Sequence, residues 1–206
     1  MTHPIKAALA MALTASVGLA GPGFAGGDAV GGSPITFVPP LVLPFVGPEA
    51  PGGVASAAGT QAIVDSLNAA NRFCAAVPQS VYAIDCMSER LEAVARSMPQ
   101  SGDYADARAA LLDASAKLHK LATDNAAAGV PRVTMRSSDA GGIRTTRPLV
   151  PVDAAVLSAV GEQAAEVLAE LETVLLRSGE ASATRRGHYD RIAVAAGSNK
   201  VLLRSL

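Results

Sequence analysis

Two helical stripes that mirror each other about a proline constrain this chain more than any other feature. From Thr60 onward, apolar or small residues recur at Ile63, Leu67, Ala70, Cys74 and Val77, and after Pro78-Gln79-Ser80 they recur at Ile84, Met87, Leu91, Val94 and Met98. Steps alternating between three and four lay one seam along a helix. Pro78 breaks the first helix, and Ser80 is suited to cap the second. Folded antiparallel about that break, the seams match rung by rung, from Val77 opposite Ile84 to Ile63 opposite Met98. Cys74 and Cys86 then fall on nearly the same rung. Small neighbours at Ala70, Ala75, Ala76 and Ala83 allow the Cα separation of roughly 4.4–6.8 Å that a disulfide requires. The spacing predicts a stapled helical hairpin over Thr60–Met98, stabilised by roughly 3 kcal/mol through loop closure. Two buried free thiols are the alternative in a reducing compartment.

The start of the chain decides between them. Lys6 gives a short positive region, Ala7–Ala20 is apolar but too short to span a bilayer comfortably, and Gly23-Phe24-Ala25 places small residues where a signal peptidase needs them. Residues 1–25 therefore read as a signal peptide cleaved after Ala25. The expected location is periplasmic or secreted, with no membrane span in the mature chain. Gly21–Gly26 also satisfies G-x-G-x-x-G, but without a strand before it or a helix after it the match carries no dinucleotide chemistry.

Residues 26–59 form a Pro/Gly-rich strap or linker. Prolines at 34, 39, 40, 44 and 48 forbid a helix, while Phe37, Leu41, Leu43 and Phe45 make 34–48 apolar. That run either straps the core or docks on a partner.

Residues 60–206 read as an all-α, up-and-down bundle of four to five helices. A third helix is expected from Asp103 to Ala128, with Asp103 as its cap and Tyr104, Ala107, Leu111, Ala114, Leu118 and Leu121 inward. A fourth runs from Asp153 to Ser178, with Val156, Val160, Val167, Leu171 and Val174 inward and Leu168 and Leu175 widening the face. A fifth runs from Ser182 to Leu203, interrupted by Gly187 and Gly197, and buries Tyr189, Ile192, Ala196 and Leu203. The fourth is acidic and the fifth basic, so their solvated faces complement each other.

Between the third and fourth helices the connection is far longer than the roughly 2–8 residues a bundle loop uses. Arg132–Arg136 and Ile143–Arg147 are β-prone runs separated by 137–142, which predicts a small basic β-hairpin within 130–150. Ile35–Val38 is a candidate third strand. Arg132, Arg136, Arg144 and Arg147 stand against Asp139 alone, a net of +3. Arginine without lysine suits bidentate contact with carboxylate or phosphate. These four are the candidate binding residues. Their anion is supplied either by another molecule or by the protein's own acidic fourth helix.

The common chemistries leave no mark. C-x-x-C-H, Glu-x-x-His on paired helices, H-E-x-x-H and G-x-S-x-G are all absent from the sequence. No cofactor or metal is therefore expected. Asp85, Glu89 and Glu92 share one helical face, as do Glu162, Glu166 and Glu170, and both rows read as solvated faces. His119 is placed at the bundle margin. His188, within Arg185–Asp190, is a candidate for a phosphate or carboxylate site. A net charge of −1 and an aromatic content of 3% offer neither a basic footprint nor stacking platforms, so no nucleic-acid partner is expected. The reading is a non-enzymatic exported protein working through contact with an acidic protein, homo-oligomerisation being compatible. A small-anion carrier, with a pocket lined by Arg144, Arg147 and Arg186, is the alternative. A hydrolase using the carboxylate rows is the third.

Overall fold

The computed structural model describes residues 53–137 and 142–206. The expected signal peptide and the run 34–48, including Ile35–Val38, lie outside the described residues. The helices are α1 (Ala57–Ala75), α2 (Ala83–Ser97), α3 (Ala105–Asp124), α4 (Leu157–Glu180), α5 (Ala183–Ser198) and α6 (Lys200–Arg204). A 3-10 turn, Ser80–Tyr82, precedes α2. From α1 to α5, neighbours in sequence pack on one another, and α1 also packs on α5 and α4 on α6. No described helix is long and apolar enough to cross a membrane.

The stapled hairpin forms. Cys74 and Cys86 are bonded, with Cα atoms 5.7 Å apart. Every seam residue except Val77 is buried, and Val77 packs at the margin. Ser80 does not cap α2, however. The chain first makes the 3-10 turn, and α2 begins after Tyr82 without a side-chain cap.

α2 is buried on nearly every side. Ala83 to Leu91 is continuously buried, including Asp85, Ser88, Glu89 and Arg90. A helix carrying that much charge can be enclosed only if its ionic groups find partners. Those partners come mostly from the connection between α3 and α4.

That connection corrects the expected β-hairpin. No β-strand occurs among the described residues, and the two runs meet through isolated antiparallel bridges, Val133 with Leu149 and Arg136 with Arg144. The first run takes three steps between those bridges and the second takes five. Two extra residues on one side cannot keep a ladder, so the second run bulges. The bulge turns Thr146 and Arg147 toward α2, as the next section shows.

α4 begins at Leu157, later than Asp153, because Val152 is held in a bridge with Ala126. Val160, Leu168, Leu171 and Leu175 are buried as expected, but Val156 and Val174 are exposed and the buried face takes in Gly161, Ala164 and Ala165 instead. The cause is close approach: a Cβ at Gly161 would lie 2.5 Å from the Leu203 carbonyl oxygen. Small residues here admit α6. The expected fifth helix is divided at Asn199 rather than at either glycine, and Tyr189, Ile192, Ala196 and Leu203 are buried as expected. Asp103 caps nothing in α3; its Oδ2 accepts the Ala55 amide at 2.9 Å and fixes the chain ahead of α1.

Candidate functional site: an arginine arm anchored on α2

Asp85 and Glu89 lie one turn apart on α2, and both are 0% exposed. This overturns the solvated-face reading of that carboxylate row at Asp85 and Glu89, whereas Glu92 is partly exposed and pairs with Arg96. Asp85 is the hub. Its Oδ2 accepts from Arg147 Nη1 at 2.6 Å and from the Val150 amide at 2.7 Å, and its Oδ1 accepts from Arg147 Nη2 at 2.8 Å. Oδ1 also meets His119 Nδ1 from α3 at 2.7 Å. A bidentate guanidinium pair of this kind is the strong form of the contact. Burial pushes the Asp85 carboxyl up, but bonds from Arg147, His119 and Val150 outweigh it and hold the group below its ordinary value. Burial likewise lowers the Arg147 guanidinium, and the bond to Asp85 more than offsets this.

Glu89 is the second anchor. Its Oε1 accepts from the Thr146 amide at 2.8 Å and the Thr146 hydroxyl at 2.9 Å. Arg90 closes on Glu89 from the same helix and donates from Nη2 to the Arg144 carbonyl at 3.1 Å. Arg90 also lies 5.3 Å from the centre of the Phe73 ring. The two carboxylates are matched by two guanidiniums, Arg147 on Asp85 and Arg90 on Glu89. The cluster therefore needs no external counter-ion, and every carboxylate oxygen in it is occupied. Such oxygens are not free to act as acid or base in a hydrolytic reaction.

The four candidate arginines thus divide. Arg147 is turned inward and serves the anchor; its acid is Asp85 on α2, not the acidic face of α4. Arg132, Arg136 and Arg144 are exposed. Arg136 and Arg144 form a non-hydrogen-bonded antiparallel pair, because Ser137 N–H reaches the Ile143 carbonyl at 2.8 Å and Thr145 N–H reaches the Met135 carbonyl at 3.0 Å on either side of them. Opposed residues in such a pair put their side chains close together on one face. Both side chains leave the arm on that face, and no carboxylate among the described residues pairs with either. On the opposite face, Val133, Met135 and Ile143 pack against the core.

The remaining candidates have structural partners. His188 Nδ1 meets the buried Thr60 hydroxyl at 2.7 Å, and Thr60 meets the Tyr104 hydroxyl at 2.8 Å, tying α5 to α1 and α3. Glu162, Glu166 and Glu170 on α4 are exposed as expected, with Glu170 bonded to Lys117. Among the described residues, neither the crevice between α3 and α4 nor the open groove between α1 and α5 is lined by Arg144, Arg147 or Arg186. The groove, of about 410 Å³, lies beside Val64, Asn68, Val194 and Ser198.

Sequence reasoning missed Asp85, Glu89, Arg90 and His119 as one cluster. The signal available was α2 itself, where two acids and a base sit within a helix whose opposite side carries the staple. No family model, characterised protein or solved structure matches this chain.

Proposed function

We propose that this is an exported, non-enzymatic helical protein that works through protein–protein contact, with Arg132, Arg136 and Arg144 as the surface that receives an acidic partner. One observation carries the reading: Arg136 and Arg144 stand opposite each other, and no carboxylate among the described residues pairs with either. Like charges directly opposed are destabilising, so the arm is better suited to a second molecule that brings the anion than to its own fold. The anchor supports this, since it spends one arginine, Arg147, on orienting the other three. The disulfide is compatible with an oxidising compartment. An up-and-down bundle belongs to the same reading, supported by the packing of each helix from α1 to α4 on its successor and of α1 on α5.

The test uses the oxidised chain and immobilised poly-L-glutamate. The variant R132Q/R136Q/R144Q is expected to bind at least tenfold more weakly at low salt, with an unchanged melting temperature. A control set at distant cations, R72Q/K117Q/K120Q, is expected to bind as wild type. Equal retention of the arm variant and wild type would remove the arm as the contact surface.

A further inference from the structure

The two edges of the arm are treated differently. Along the second run, the outward backbone groups are covered by α2: the Arg144 carbonyl accepts from Arg90, and the Thr146 amide donates to Glu89. Along the first run, Val133, Met135 and Ser137 spend their amides on the second run, through Leu149, Thr145 and Ile143. Alternation then points the amides and carbonyls of Arg132, Thr134 and Arg136 away from it. None of those three amides has a hydrogen-bond partner among the described residues. All three residues are exposed. One edge is closed by a helix, and the other presents three outward amides at a strand repeat of roughly 6.6 Å.

We propose that the partner contributes an extended acidic segment that pairs along the 132–136 edge as an added strand, with its carboxylates on Arg132, Arg136 and Arg144. This rests on the reading of the arm as the contact surface and names what the surface takes. Strand addition gains its affinity from main-chain hydrogen bonds and its selectivity from alternate side chains. Here the outward amides recur every two residues, and Arg132 and Arg136 carry the first and last of them. Acids at every second position would therefore meet the arginines while the backbone pairs. A helical acidic segment would match the charges but leave the three amides unpaired.

The experiment is a fluorescence titration of the oxidised chain with Ac-TETETETE-NH2, whose glutamates share one face when extended. Its partners are the same peptide N-methylated at alternate residues on the pairing edge, and the variant Thr134→Pro. Thr134 spends no amide inside the arm and sits in an extended run, so proline is tolerated there, which an unchanged melting temperature verifies. The expected result is saturable binding of the plain peptide and at least a tenfold loss both for the N-methylated peptide and for the proline variant. Equal binding of the plain and N-methylated peptides would overturn strand addition while leaving the acidic contact intact. If neither peptide nor poly-L-glutamate binds, the contact surface itself is wrong. The N-methylated arm of the test does not depend on any variant folding.

Discussion

Lys117 and Glu170 meet at 2.8 Å across α3 and α4, with side chains 39% and 57% exposed. Arg147 and Asp85 meet at 2.6 Å between the arm and α2, with side chains 26% and 0% exposed. The distances are nearly the same and the consequences differ. The first pair exchanges water for a partner it barely needs, and such pairs contribute little. In the second, Asp85 has given up water altogether, so removal of one partner leaves a charge that nothing solvates. Charge pairing between α4 and its neighbours decorates a packed body. Charge pairing between the arm and α2 decides whether the arm has a position at all.

The comparison breaks most visibly at Asp85. Asp85→Ala should lower stability by about 3–5 kcal/mol in denaturant titration, because Arg147 and the Val150 amide lose their acceptor together. A loss under 1 kcal/mol would mean that Arg147 simply turns out to solvent.

Removing the staple tests the other side of the same helix. The double variant C74A/C86A should lose about 2–5 kcal/mol, and the oxidised wild type should show no titratable thiol until reduced. Two reactive thiols in the native oxidised protein would contradict the bond.

Acid sharpens the contrast. The Asp85 carboxyl lies below its ordinary value of 3.8 when folded. As pH falls, the unfolded chain therefore takes up this proton first. The stabilisation is complete above the unfolded value and is lost as pH falls through the folded one. The stability difference between wild type and Asp85→Asn should stay level from about pH 7 to 5 and shrink below about pH 4. A difference that stays level down to pH 2.5 would show that the charge of Asp85 contributes nothing.

The smallest effect is expected on the exposed side. Glu170→Gln should stay within about 0.5 kcal/mol of wild type and lose even that in high salt. A larger cost would place Glu170 in a network beyond Lys117 and Asp113.

The hairpin was legible because a helical seam and a disulfide impose independent geometric demands that agree only in one register. The arm was legible as a segment, since its length and arginine content fit no bundle loop. Its anchoring was not. Asp85 and Glu89 are one turn apart, and that spacing reads the same whether the face meets water or another part of the chain. Exposed Glu162, Glu166 and Glu170 follow the identical pattern. The bulge was hidden for a related reason: bridges at Val133–Leu149 and Arg136–Arg144 differ in register by two, and β-propensity carries no register. The edge of the α4 face was misjudged at Val156 and Val174, which fitted the seam, while Val160, Leu168, Leu171 and Leu175 lie inward as expected. Gly161 and Ala164, which mark where a neighbouring backbone comes close, are silent in hydropathy.

The staple joins residues 12 apart in sequence, whereas Thr146 and Val150 reach their carboxylates across 57 and 65 positions. Contacts of short span form early in folding and long-span contacts form late. By that rule the flank of α2 that faces α1 is covered before the flank that carries Asp85 and Glu89, whose carboxylates keep their water until Thr146 and Val150 arrive.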